Sequence, residues 1–179
     1  MIDLKTGKIV INEQKGWVLE PGMKWEDLKK SNIYVNGPIH ENYRLHPEWQ
    51  GAFFEHIDID GFDMSVDVNV DTNGYIHKIF IYHPDAHNQC LSKEEAYKFK
   101  AFHDEFISHQ IGNQLKGSGE IWLDYDWGSI TSEINLMHDS IVDIIIRYDT
   151  IPIRIKKGEI KHATKEDVEK FFRELRSML

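Results

Sequence analysis

A chain of 179 residues with 41% hydrophobic, 12% aromatic and 28% charged residues has a globular composition and enough length to bury its own core. Its net charge of −9 argues against the basic stripe with which nucleic-acid binders neutralise phosphates. The single cysteine, Cys90, excludes an intramolecular disulfide, and no run approaches the ~20 apolar residues of a membrane span, so a cytoplasmic protein is expected, with no nucleic-acid or membrane partner.

The chain opens with a candidate hairpin, Ile2 to Ile11, around Lys5-Thr6-Gly7-Lys8. Pro21-Gly22 marks a turn, and Trp25 to Lys30 has the spacing of one or two helical turns. Residues 36–50, with Pro38, Pro47 and scattered polar residues, read as an irregular loop. The clearest β pattern follows. Phe62, Met64, Val66, Val68 and Val70 alternate with Asp63, Ser65, Asp67, Asn69 and Asp71, so one face of the strand is apolar and the other acidic. Asp60-Gly61 and Asn73-Gly74 are hairpin pairs, because both positions of each tolerate positive φ. Three antiparallel strands are expected over 51–60, 62–71 and 75–83.

A helix is expected over 92–112. Ser92 and Glu95 form a capping box, Leu91 and Ala96 a hydrophobic staple, and Phe99, Phe102 and Phe106 an apolar stripe that ends before Gly112. Three more strands follow, near 119–127, 129–137 and 140–148, with a further strand at 151–155. A second main helix is expected over 164–178, carrying Val168, Phe171, Phe172, Leu175 and Met178 on one face. No linker divides the chain. The expectation is one α+β domain over 1–179, with antiparallel meanders of about six to eight strands packed with two main helices.

Within 119–137 the apolar residues change phase. Ile121, Leu123, Tyr125 and Trp127 are odd; Ile130, Ile134 and Leu136 are even. A one-residue slip sends later side chains to the opposite face, and a β-bulge at Gly128 would repair it by bending a long strand. Ser129 lacks the second glycine and the strand–turn–helix context of a nucleophile elbow.

This stretch resembles a family of small uncharacterised bacterial proteins that share a Tyr-x-Trp-Gly-x-Ile-x-Ser segment and then an Ile-x-Ile-x-Tyr strand. Here these are Tyr125, Trp127, Gly128, Ile130 and Ser132, then Ile144, Ile146 and Tyr148. The opening "GKIVIN…PGMKWEDLKKS" is similar to the family's start, so the resemblance covers about the first thirty residues and 119–148. It departs in "NLMHDSI", which has no glycine in the turn. The motif marks a fold more than a site. Proteins of this kind sit beside bacterial toxin genes, which implies an immunity or accessory role.

Chemistry-bearing motifs are few. "NVDTNGYIHKIF" imitates a calcium loop but has Asn69 where the first Asp belongs and Phe80 where the bidentate Glu belongs. Asp58/Asp60 and Asp124/Asp126 are two apart, and such pairs do acid–base work only when one member is desolvated. His83 and His87, near Asp85 and Cys90, suit zinc in kind, but Pro84 keeps them off one helix face. His40, His46 and His56 are further donors, and a metal-dependent hydrolase built on these histidines is the alternative function. No resident cofactor is indicated.

The collective feature is acidic. Asp63, Asp67 and Asp71 share one strand face; Glu120, Trp122, Asp124 and Asp126 mark another. If the faces join, a broad acidic surface carries an exposed tryptophan, suited to capturing a basic, toxin-like protein partner. A solvated outer sheet face has the same acidic composition, and Trp122 is what separates the two readings. The oligomeric state stays open.

Overall fold

Turn chemistry starts the chain. The Asp3 carboxylate accepts from the Lys5 N–H (2.9 Å) and the Thr6 hydroxyl (2.7 Å), and Gly7 takes φ 75°. The computed structural model, which describes residues 1–45, 50–86, 91–112, 121–136 and 141–148, thereby joins β1 (Ile2–Asp3) to β2 (Lys8–Asn12). With β3 (Trp17–Leu19) they form a three-stranded antiparallel sheet in the order β1-β2-β3.

Three short helices follow: α1 (Trp25–Lys30), α2 (Asn32–Asn36) and α3 (Glu41–Leu45). α3 lies inside residues 36–50, the stretch expected to be an irregular loop, and corrects that expectation; α2 ends at its first residue. The Ser31 side chain accepts from the Tyr34 N–H to start α2, a local cap that the polar composition concealed.

The alternating segment folds as expected. β4 (Gly51–Ile59), β5 (Phe62–Val70) and β6 (Ile76–Tyr82) form a meander. Asp60 and Gly61 both take positive φ (56° and 86°), as a tight hairpin requires. In the next hairpin the Asp71 carboxylate accepts from the Asn73 and Tyr75 N–H groups, each at 2.9 Å. A bulge between Phe54 and Ile57 puts His56 at φ 50°. The second meander is β7 (Ile121–Tyr125), β8 (Gly128–Asn135) and β9 (Ile141–Tyr148). β9 pairs with β6, so both meanders form one antiparallel six-stranded sheet, β4-β5-β6-β9-β8-β7.

One expectation is corrected at Gly128. β7 and β8 are not one long strand bent by a bulge. Tyr125 pairs with Gly128 across a two-residue turn, Asp126-Trp127. In such a hairpin odd residues face even ones, as Leu123 faces Ile130, so chain reversal itself produces the phase change. Gly128 is required for a different reason. Its φ is 148°, and a Cβ there would sit 1.9 Å from the Arg147 carbonyl oxygen.

α4 (Lys93–Ile111) has the expected capping box at Ser92/Glu95 and ends at Gly112 in the left-handed conformation. It is the one long helix among the described residues, and none there is long and apolar enough to cross a membrane. The strand expected at 151–155 and the helix at 164–178 lie outside the described residues. The buried stripe of α4 is Ala96, Lys100, His103, Phe106 and Ile107 rather than a phenylalanine stripe alone.

The core lies on one face of the large sheet. Met64, Val66, Val68, Ile79, Ile81, Ile144 and Ile146 meet Ile9 and Leu19 of the small sheet, Leu28 and Ile33 of the short helices, and Phe106 of α4. The Tyr-x-Trp-Gly motif acts here as a clamp. The Trp127 indole N–H donates to the Leu4 carbonyl (2.9 Å), its ring fills the space a Gly7 Cβ would need, and the Tyr148 hydroxyl donates to the Gly7 carbonyl (2.9 Å). Tyr125 stacks on Trp127 at 5.0 Å. These residues fix the small sheet to the large one.

Candidate functional site on the outer sheet face

The opposite face of the large sheet can be read as rows set by the registers. One row runs Phe53, Asp67, Phe80, Ile145, Thr131, Trp122. The next runs Gly51, Asn69, Lys78, Arg147, Ser129, Asp124. Glu133 faces Asp143 and Ser65 faces Tyr82 on the other side of the first row. The two acidic strands of the sequence do share a face. Asp67 and Trp122 are four strand spacings apart, roughly 19 Å at about 4.8 Å per strand.

The face is not a uniform field of solvated acids. Lys78 and Arg147 cross its middle, and Tyr82, Ile145 and Thr131 there are buried. Asp67 is desolvated, which pushes its carboxyl up to about 6. Asp143, missed in the sequence, is pushed up to about 6, first by burial and then by Glu133, against the pull of Lys78 and Arg147. Tyr82 is held well above the ordinary phenol range by burial and by Asp67; Tyr43 is raised by the same two causes. Among the described residues no hydrogen bond or ion pair reaches the Asp67 or Asp143 carboxylate. The signal for Asp143 was a charge interrupting "IVDIIIRY", an otherwise apolar strand.

The other acids have separate jobs. Asp63 is exposed and bonds His56 Nδ1 (3.0 Å), which raises the His56 pKa. Asp71 is spent on its hairpin, and Asp126 lies in the β7–β8 turn. Glu120 lies outside the described residues. Asp58 accepts from the Gly61 N–H, and Asp60 accepts from Gln110 Nε2 at 3.0 Å.

At the β7 end, Trp122 is 64% exposed. Its indole N–H donates to Asp124 Oδ1 (2.8 Å), and the Arg147 guanidinium lies 5.8 Å from its ring centre. The ring is thus held in one orientation while its face stays in water. Ile141 is exposed on β9 as well.

The histidines divide. His87 and His46 lie outside the described residues. His83 Nδ1 accepts from the Asp85 N–H (3.1 Å), and its ring lies 5.0 and 4.9 Å from Phe99 and Phe102. The His83 main-chain N–H donates to His103 Nε2 (2.9 Å). Burial lowers the His103 pKa to about 3, with His83 and Lys100 adding to it, so the ring stays neutral. His40 packs against Phe53. Among the described residues no three His, Cys, Asp or Glu side chains gather as metal ligands. Beside His103, the buried Lys100 ammonium bonds both Asp104 carboxylate oxygens (2.5 and 2.7 Å), and the Ser132 hydroxyl donates to Asp104 (3.0 Å). That network pins α4 to β8. A cleft of about 450 Å³ between the small sheet and β4 is lined by Trp17, Asn36, His56 and Asp58, whose acid and imidazole are already engaged.

Comparison of the chain with family models, with curated proteins and with solved structures finds no match.

Proposed function

We propose that this protein is a binding module that captures a basic protein partner on the outer face and β7 end of its six-stranded sheet, in the manner of a cytoplasmic immunity protein. One observation carries the reading: Trp122, a large aromatic, is held in place by Asp124 and Arg147 yet left 64% exposed. A preoriented tryptophan loses little conformational freedom on binding and is the residue type most often found at interface hot spots. The net charge of −9 and the acids Asp63, Asp124, Asp126 and Glu133 favour a cationic partner and speed its approach.

The test uses the full chain as bait in lysate of its native cell, with elution by a salt gradient. A basic protein should leave wild-type bait at low to moderate salt and be absent from Trp122→Ala and Asp124→Lys baits of unchanged circular dichroism. Equal recovery from all three baits refutes this surface as the site.

A further inference from the structure

The two edges of the large sheet are treated differently. On β4, the Pro38–His40 segment covers the edge: the His40 N–H donates to the Phe53 carbonyl (2.7 Å) and the Glu55 N–H to the Pro38 carbonyl (3.0 Å). The bulge and the left-handed His56 then distort what remains. Edges managed in this way cannot template another strand. Among the described residues β7 has none of these devices. It contains no proline, no lysine and no bulge, and among the described residues it pairs with β8 alone.

The hairpin register says which groups β7 offers. In a two-residue hairpin the pair flanking the turn, here Tyr125 and Gly128, exchanges hydrogen bonds, and bonded pairs then recur at every second position. Ile121, Leu123 and Tyr125 therefore bond β8, and the main-chain N–H and C=O groups of Trp122 and Asp124 face the edge that no other described strand pairs with. The side chains of these two residues lie on the outer face. Ile121, Leu123 and Tyr125 point to the core face and are only half-buried, so apolar surface stays open along the same edge.

We infer that β7 is a strand-addition site, and that its occupant is an extended segment of the basic partner in which arginine or lysine alternates with apolar side chains. The inference rests on the binding-module reading and supplies its mode. An antiparallel strand opposite Trp122 and Asp124 shares their faces. Its outward positions lie beside an indole and a carboxylate, which suit a guanidinium through stacking and charge pairing. Its inward positions lie beside Leu123 and Ile121, which suit valine or isoleucine. Main-chain bonds give the affinity, and the alternation gives the selectivity.

The experiment measures fluorescence anisotropy of a labelled Gly-Arg-Val-Arg-Val-Arg-Val-Gly peptide titrated with the full chain at low salt. Two analogues carry backbone N-methyl groups, one at the arginines and one at the valines. In the inferred pairing the arginine N–H groups face β7 and the valine N–H groups face away. Methylation at arginine should weaken binding by at least about tenfold, and methylation at valine by less than about threefold. Trp122→Ala should also weaken it, and Asp27→Asn, at an exposed position of α1 outside the large sheet, should not. Equal binding of all three peptides overturns strand addition and leaves a purely electrostatic surface, with the binding-module reading intact. Binding of no peptide, with or without a dimer that Trp122→Ala splits, also overturns it, in the dimer case in favour of a second copy on this edge. The lysate capture decides separately whether the binding-module reading survives.

Discussion

Replacing Asp67 with asparagine tests whether the outer face holds a desolvated acid. The carboxyl rises from 3.8 to about 6 because β5 buries it near Tyr82 and Tyr43. At about 1.4 kcal/mol for each tenfold change in proton affinity, ionising it in the native state costs roughly 3 kcal/mol. The carboxylate keeps some contact with water, so about 1–2 kcal/mol is the expected effect. The native state holds this proton to higher pH than the unfolded chain does. Native protein therefore binds more protons between about pH 4 and 6, and stability falls as pH rises through that window. Above it the cost is fully present. Asparagine cannot ionise, so Asp67→Asn should be more stable than wild type by about 1–2 kcal/mol near pH 7.5, and the gain should shrink several-fold near pH 4. Urea denaturation at the two pH values reads the difference. A variant destabilised at pH 7.5, or shifted equally at both, refutes burial as the cause. Asp143→Asn should behave in the same direction but less strongly, because it also removes a partner charge from Lys78 and Arg147.

Other substitutions probe the clamp and the helix anchor. Gly128→Ala should cost more than about 3 kcal/mol or prevent folding, since its Cβ would overlap the Arg147 carbonyl; thermal melts check this. Tyr148→Phe deletes the bond to the Gly7 carbonyl and should cost about 1–2 kcal/mol by urea denaturation. Lys100→Met leaves the Asp104 charge without its buried partner and should cost about 3–5 kcal/mol. The double variant Lys100→Met/Asp104→Leu should recover much of that loss, and a double-mutant cycle measures how much.

What was legible in the sequence was whatever a few neighbouring residues decide. Met64, Val66 and Val68 alternate with polar partners because one face of β5 is dry, and the Asp-Gly and Asn-Gly pairs turn the chain by their own φ preferences. The Ser92/Glu95 box is likewise a four-residue event. Alternation says which face a residue takes, not how dry that face is. Asp67 was therefore placed on the correct face but read as a solvated charge, and Asp143 was overlooked. The change of phase near Gly128 has two local solutions, a bulge or a hairpin, and only the pairing of Leu123 with Ile130 decides between them. The burial of Lys100 has no local signal, because Ser132, which helps hold its Asp104 partner, lies 28 residues away from that carboxylate in sequence.

The two tryptophans of the β7–β8 hairpin separate what the fold needs from what the proposed partner would read. They are five residues apart and opposite in environment. Trp127 is 4% exposed, bonded to Leu4 and pressed against Gly7; Trp122 is 64% exposed on the other face. Truncating Trp127 removes a large buried ring and an indole bond, so Trp127→Ala should cost about 3–5 kcal/mol and loosen the small sheet, visible as faster amide exchange at Ile9 and Val10. Truncating Trp122 removes a ring already in water, so Trp122→Ala should change stability by no more than about 0.5 kcal/mol. A residue that costs the fold so little and still presents a fixed aromatic surface fits the proposed contact with another molecule. Loss of stability on Trp122→Ala comparable to that on Trp127→Ala would mean that both rings serve packing, and the β7 end would lose its claim as a binding surface.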